Sequence, residues 1–597
     1  MKIFTLFLPV ITPTALAAAA ATGTATSSPS QQPAASACRY IPGDRGWPAA
    51  STWTRLNATV GGRLLATNPL AHSCHDPTYD NATCTTLERQ WGEPSLQIPY
   101  PAEFLSPWFQ NQSCVPFTDQ STPCELGNYA SYSINVTGPR DIVAGLSFAQ
   151  SNNVRLTIKN TGHDENGKGT GKGALSLWTH NLKDKRFLPA YRSSYYNGPA
   201  VQLGAGVQGE EAATFAHQHG YRVVVGSCPT VGVVGGYTQG GGHSSMSGLY
   251  GLSADNVLEW EVITATGEHL VATPANDHRD LYWALSGGGP GTYGVVVSMT
   301  TRVFPEQPVG AASYSFTVAS TGNGSGSSED AYWQAVTTFH AQMPGLLDQG
   351  VYTTYAVTND SFSIYALVAP SHTEAELTRL LAPMLTALAQ HDGLTPQALA
   401  LQTSGAASLY DLLAADLWPT LAGAALVPVM GGRLITRANI DANVAGVVQA
   451  MRTITRGGTF YFSCTGINTT TAAAQAVGPV ADNAVLPAWR DTAYSCLVGA
   501  AWSWGDSWAP VAGWQAELLD RVLPALEAVT PDSGAYLNEA NYQQQNWQQQ
   551  FYGKNYPRLL AIKKQYDPWD LLYAVSAVGS EAWQADGAGR LCRAAHL

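Results

Sequence analysis

The sequence predicts an α+β protein of two or three lobes, and three observations carry that expectation. From about Ser131 to Pro305, short β-branched strands and helices mix without the regular strand–helix–strand alternation of a parallel array. A second α+β stretch opens near residue 307 with the alternating run 312–318. The 597 residues also exceed what a single hydrophobic core holds.

Met1-Lys2, an apolar run from Ile3 to Val10 and an alanine-rich stretch to Ala21 have the shape of a secretory signal peptide, assigned to residues 1–21. Residues 22 to about 40 are rich in Ser, Thr, Ala, Gln and Pro and are expected to be disordered. With residues 41–124 they form an N-terminal extension (22–124), expected to be stapled by disulfides and to carry no chemistry of its own. Pro139-Arg140-Asp141 then marks a helix start with an acidic residue in its first turn. Strands are predicted at 154–158, 174–178, 200–203 and 221–225, the last preceded by a helix at 210–219. A two-strand unit begins at Asn256 and turns at 265–268, and a strand at 294–299 closes the first lobe, 125–306. In the middle lobe, 307–535, helices at 332–343 and 374–390 mix with strands at 351–357 and 363–368. Residues 536–580 are rich in Tyr, Asn and Gln, yet Trp547, Phe551 and Tyr552 favour packing; 581–597 is a tail.

Composition narrows the function. A net charge of −12 argues against nucleic acid and against an acidic membrane surface, and suits a neutral or cationic small molecule. No later segment is long and apolar enough to span a bilayer. Seven Asn-x-Ser/Thr sequons, at Asn57, Asn81, Asn111, Asn135, Asn323, Asn359 and Asn468, fit a secreted, extracellular chain bearing N-glycans at some of them. Nine cysteines suit a compartment that permits disulfides, and the odd count leaves one unpaired. Cys228, in a glycine-flanked turn, is expected to be that one.

Chemistry concentrates in glycine-rich loops. The run from Gly162 to Gly171 follows a strand and nearly matches a P-loop, but Gly169 stands where a Ser or Thr should hold magnesium. Nucleotide hydrolysis therefore fits poorly, while a pyrophosphate-binding turn still fits. Seven glycines between 226 and 242, and the run Gly287-Gly288-Gly289-Pro290-Gly291, suit a backbone that passes close to a ligand. The pairs His217/His219 and His72/His75 have metal-like spacing without a supporting cluster, so no metal is expected.

The ordered set Gly162-His163-Asp164, Gly226-Ser227-Cys228-Pro229-Thr230-Val231-Gly232, Gly240-Gly241-Gly242, Tyr250-Gly251-Leu252 and Asp255-Asn256-Val257 resembles the berberine-bridge-enzyme-like flavoproteins of the vanillyl-alcohol oxidase superfamily. The tail from Phe551 to Leu559 and from Ile562 to Pro568 resembles their C-terminal segment, and fungal isoamyl alcohol oxidases are particularly close. The resemblance implies a PCMH-type FAD-binding domain of two α+β subdomains, an inserted α+β substrate domain, and a C-terminal segment returning to the FAD domain. It further implies FAD bonded through His163 and Cys228. Asn160, Thr161, Gly162 and Asp164 would wrap the pyrophosphate. Gly232 and Gly240, Gly241, Gly242 and His243 would approach the flavin, and Asn555 and Tyr556 would reach back to it. Val231 matches a position where valine admits oxygen.

The implied reaction oxidises an alcohol, either simple or a secondary-metabolite carbinol, to a carbonyl by hydride transfer to flavin N5, with O2 reduced to H2O2. Such a step needs a group to take or orient the hydroxyl proton. The candidates are Tyr461, Tyr536 and Glu539. A carbohydrate oxidase is an alternative, and a flavin-carrying secreted binding or antigen protein with little turnover is another of a different class.

Overall fold

Three sheets position the site. The computed structural model describes residues 38–321, 328–391, 393–395, 397–421 and 427–594, so the signal peptide, most of the polar segment after it and the sequon at Asn323 lie outside the described residues. The first sheet has four strands in the order Leu64–Ala66, Tyr132–Asn135, Leu175–Trp178, Leu156–Lys159, the last three parallel. Its crossover helix, Pro139–Ser151, begins with Pro in its first turn, and Asp141 accepts from Thr137 N and pairs with Arg63 at 2.5 Å. The helix buries Ile142, Leu146 and Ala149 in one cluster with Ile134 and Leu177. Gly145 is required there, because a Cβ would stand 2.5 Å from Leu177 Cδ2.

The second sheet is antiparallel, with five strands ordered Lys185–Arg192, Asn197–Gly204, Val295–Arg302, Val257–Ile263, His269–Ala272. Val295–Arg302 is buried at every position, as a central strand covered on both faces must be. The predicted strand at 221–225 is shorter: only Tyr221–Arg222 pairs, with Phe304–Pro305. Val223, Val224 and Val225 leave the ladder, bury their side chains in the core and carry the chain to Gly226.

The third sheet has seven antiparallel strands, ordered Gln402–Ala406, Val309–Thr317, Ser361–Pro370, Tyr352–Val357, Phe460–Gly466, Thr492–Ala500, Met430–Thr436. Helices Ser328–Leu347, Glu374–Leu388 and Arg437–Thr455 share its core cluster. Side-chain alternation on Phe460–Gly466 sends Phe460, Phe462 and Cys464 into that core and Ser463 and Thr465 to the opposite, cavity face.

Four disulfides form: Cys38–Cys592, Cys74–Cys84, Cys114–Cys124 and Cys464–Cys496. Cys228 is free, as expected from its turn. The extension is stapled by Cys74–Cys84 and Cys114–Cys124, as expected, and it also reaches the cavity. Leu105 N donates to Gly162 O, Ser106 Oγ donates to Glu165 O, and Phe104 lines the central cavity. A loop built of glycines has little side-chain mass to bury itself, so another segment covers it.

The C-terminal segment returns through helix Tyr556–Tyr566. Lys563 and Asp567, both almost fully buried, pair at 2.7 Å, and Lys563 Nζ also donates to Thr292 O and Leu572 O. Asp567 accepts from Leu571 N and Leu572 N. This knot sets Leu572, Tyr573 and Ala574 against the cavity. Of the sequons, Asn81, Asn111 and Asn359 are exposed and Asn57 and Asn135 are half-buried. Asn468 is buried and its amide donates to Asp348, which removes it from the sites a glycan can reach on the folded chain. Among the described residues no helix is long and apolar enough to cross a membrane.

Candidate active site

A cavity of about 400 Å³ is lined by the loop after strand Leu156–Lys159, the 226–239 segment, the open face of the third sheet and the tail. That volume lies in the range of small-molecule and cofactor sites. No helix follows the Gly162–Gly171 loop, so a P-loop is absent there. Asn160 Nδ2 instead donates to Ala205 O at 2.5 Å and to Thr179 Oγ1 at 3.3 Å. Gly232 must be glycine, since a Cβ would fall 2.4 Å from Asn160 Oδ1. Asn166 Nδ2 and Lys168 Nζ donate to Leu537 O at 3.2 and 3.1 Å, tying this loop to the 536–539 segment.

His163 and Cys228 come together at one hydroxyl. His163 Nε2 lies 2.7 Å from Thr230 Oγ1, and Cys228 Sγ lies 3.5 Å from the same oxygen. Burial, and then the nearby Lys159 charge, pull the His163 imidazole down to about 4, so it is neutral at pH 7. Lys159 itself is buried, donates to Tyr100 O at 2.8 Å, and is pulled down to about 7 by burial against the opposing pull of Glu103.

On the far side, Glu539 Oε1 lies 3.2 Å from His243 Nε2. Burial, and then the Glu539 charge, push the Tyr536 phenol well above its ordinary value, and its oxygen accepts from Asn538 Nδ2 at 2.8 Å. Glu165 also lines the cavity; burial, then Glu539 and Asp164, push its carboxyl up to about 8.

Of the residues singled out in the sequence, Asn160, Thr161, Gly162, His163 and Asp164 line the cavity from one loop, and Cys228, Val231 and Gly232 from the next. His243, Tyr536 and Glu539 line it from the other side. Gly240, Gly241 and Gly242 do not. They allow close packing behind the wall: a Cβ on Gly240 would meet Asn538 Nδ2 at 2.6 Å, and one on Gly242 would meet the Tyr237 ring at 2.9 Å. Asn555 and Tyr556 are also outside the lining. Asn555 Nδ2 donates to Ala484 O and Val485 O, and Tyr556 Oη donates to Glu581 at 2.6 Å. Tyr461 sits outside the lining on the strand that carries Ser463 and Thr465, its phenol pushed up to about 12 by burial, then by Glu165 and Tyr365.

Sequence reasoning passed over Asn538, Gln239, Lys159 and Glu165. Glu165 had a signal, standing two residues beyond His163 in the same loop, and Asn538 stands two beyond Tyr536. The histidine pairs go to separate partners: His217 to Glu306, His219 to Phe215 O, His72 to Pro69 O and His75 to Val115 O.

The lining fits a flavin dinucleotide. Asn160 Oδ1, Glu165 Oε2, Gln239 Oε1 and His243 Nδ1 are buried atoms of lining residues without a hydrogen-bond partner among the described residues, and such atoms call for a polar ligand. The glycine-rich turns offer backbone N–H groups of the kind that receive a pyrophosphate.

Comparison with known proteins agrees. Residues 130–273 match a family described as FAD binding domain, and 535–578 one described as berberine and berberine like. The VAO-type flavoprotein oxidase VAO615 of Thermothelomyces thermophilus is 46% identical over 94% of this chain and 96% of its own length. The bifunctional decalin synthase calF of Penicillium decumbens is 44% identical, again over 94% of this chain and 96% of that protein. The crystal structure of VAO-type flavoprotein MtVAO615 from Myceliophthora thermophila C1 superposes with a TM-score of 0.87, at 44% identity, covering 93% of this chain and all of that one. The chain belongs to the VAO-type, berberine-bridge-like family of FAD-linked oxidoreductases. It is an FAD-dependent enzyme with the PCMH-type α+β fold.

Proposed function

We propose that the protein is a secreted oxidase that converts an alcohol to a carbonyl and dioxygen to hydrogen peroxide, with FAD held covalently at His163 and Cys228. The observation that carries the reading is the meeting, in one cavity, of a nucleophile pair on one wall with acid–base groups on the other. FAD, when bound, supplies the two-electron acceptor and hands the electrons to dioxygen. The protein's own residues hold the alcohol and handle its proton. Glu539, beside His243, takes the hydroxyl proton as the C–H bond breaks. Tyr536 keeps its proton because its pKa is raised, and so donates a hydrogen bond to the substrate oxygen. Glu165, protonated at pH 7, presents a second neutral donor. The four disulfides and the exposed sequons support export.

A carbohydrate is the second substrate class to consider. Tyr352, Thr354, Ser463 and Thr465 set a row of hydroxyls on the third sheet's cavity face, which suits a polyhydroxylated ligand. The test is peroxide release across simple alcohols, aromatic carbinols and oligosaccharides, with Glu539→Gln alongside. One class should turn over, and Glu539→Gln should lower its kcat by about 10²–10⁴-fold. Flavin-loaded protein that makes no peroxide with any class refutes the oxidase reading. Unchanged turnover in Glu539→Gln refutes the base assignment alone.

A further inference from the structure

One hydroxyl stands between the two side chains proposed to hold the flavin. Thr230 Oγ1 is within hydrogen-bond reach of both His163 Nε2, at 2.7 Å, and Cys228 Sγ, at 3.5 Å. We propose that Thr230 is the positioning residue for covalent flavin attachment, accepting the His163 Nε2 proton and donating its own to Cys228 Sγ. This rests on the double-attachment reading above.

A hydroxyl has one proton to give and two lone pairs to receive, so it can donate to only one of its two neighbours. In the proposed direction the imidazole proton sits on Nε2 and the lone pair is left on Nδ1. That nitrogen has no hydrogen-bond partner among the described residues and is free to attack. At the other end, the Thr230 O–H directed at Sγ, 3.5 Å away, orients the sulfur that is to attack. The reverse direction would place the imidazole proton on Nδ1 and block the one ring nitrogen that is free. The depressed imidazole pKa agrees with a neutral ring that has one lone pair to offer.

The turn that presents Thr230 is held in place by the start of helix Gly209–His217. Gln208 Nε2 donates to Thr230 O, Gly209 N to Val231 O and Glu210 N to Pro229 O, each at 2.9 Å. The hydroxyl is therefore fixed on a backbone that does not depend on the ligand.

Each attachment balances in the same way. A flavin C–H is replaced by C–N at His163 or C–S at Cys228. The flavin carbon releases one proton and the attacking group another, from Nε2 of the imidazole or from the thiol, and two electrons remain on the flavin. Dioxygen, the oxidant of the proposed reaction, takes both electrons and both protons as hydrogen peroxide. At His163 the released proton is the one on Nε2, which leaves along the Nε2–H···Oγ1 hydrogen bond for the peroxide, the Thr230 hydroxyl passing on a proton as it takes one.

The test compares the wild type, Thr230→Val and Thr230→Ser, expressed and purified alike. Visible absorption of the native proteins measures bound flavin. Peptide mass spectrometry after denaturation measures flavin joined to the His163 and Cys228 peptides. Thr230→Val should bind flavin but carry the double link at least tenfold less, releasing free FAD on denaturation, and Thr230→Ser should restore the link. Wild-type levels of double linkage in Thr230→Val overturn the proposal, as does a serine variant no better than valine. If Thr230→Val does not fold, Thr230→Ala takes its place under the same expectations. A wild type with no flavin on either peptide overturns the attachment reading itself, which separates the two failures.

Discussion

Replacing Glu165 with Gln should remove most of the pH dependence that this one carboxyl imposes on the fold. Glu165 lines the cavity with Oε2 buried and without a partner among the described residues. Burial, with Glu539 and Asp164 adding to it, raises its pKa from 4.5 to about 8. Between those values the folded chain keeps a proton that the unfolded chain has released. The contribution is therefore fully present below about pH 4.5 and is lost as pH rises through 8. The whole excursion corresponds to at most about 5 kcal/mol. The side chain retains some exposure, and solvent screening reduces the expectation to about 2–3 kcal/mol. Lys168, on the same loop, Tyr461 on the third sheet and His243 across the cavity are unchanged by the substitution and serve as its background. The assay is urea unfolding of the flavin-bound protein at pH 5 and pH 9. Glu165→Gln should match the wild type within about 0.5 kcal/mol at pH 5 and exceed it by about 2–3 kcal/mol at pH 9. Parallel pH profiles for the two proteins would falsify the reasoning.

Two other substitutions follow from the same geometry. Asp567→Asn leaves the buried Lys563 ammonium without its counter-charge, and should cost about 3–5 kcal/mol in urea unfolding. The double variant Lys563→Met/Asp567→Asn should recover part of that loss, and additive effects would contradict a coupled pair. Val231→Leu, on the cavity wall next to the Cys228 turn, should slow reoxidation of the reduced flavin by oxygen about tenfold or more while leaving anaerobic reduction by substrate nearly intact. Equal loss in both half-reactions would show that Val231 shapes the substrate site instead.

The fold was largely legible because period-2 and helical patterning are local. The helix at Pro139–Ser151 and the strands Tyr352–Val357 and Ser361–Pro370 lie within a few residues of where alternation and capping put them. The strand at 221–225 was over-read because Val223 to Val225 are apolar for burial, and among the described residues no strand pairs with them. The candidate site was legible where it is continuous in sequence, as in the 160–164 and 228–232 loops. It was not legible where burial and distant charge decide. Nothing in the sequence near Glu165 announces Glu539, 374 residues later, as the charge that helps keep it protonated. Asn555 and Asn538 also look alike in sequence. Only the fold sends the first to Ala484 and Val485, and the second to Gly236 on the cavity wall. The role of the N-terminal extension was hidden for the same reason, since its bonds to Gly162 and Glu165 join segments some sixty residues apart.

The central claim is that one flavin is fastened at two points in a cavity whose opposite wall carries the acid–base groups. The most direct measurement is peptide mapping of the denatured wild-type protein by mass spectrometry and flavin fluorescence. The account predicts a single flavin joining the peptide that contains His163 to the peptide that contains Cys228, with no FAD in the supernatant. Free FAD in the supernatant and two unmodified peptides would contradict it.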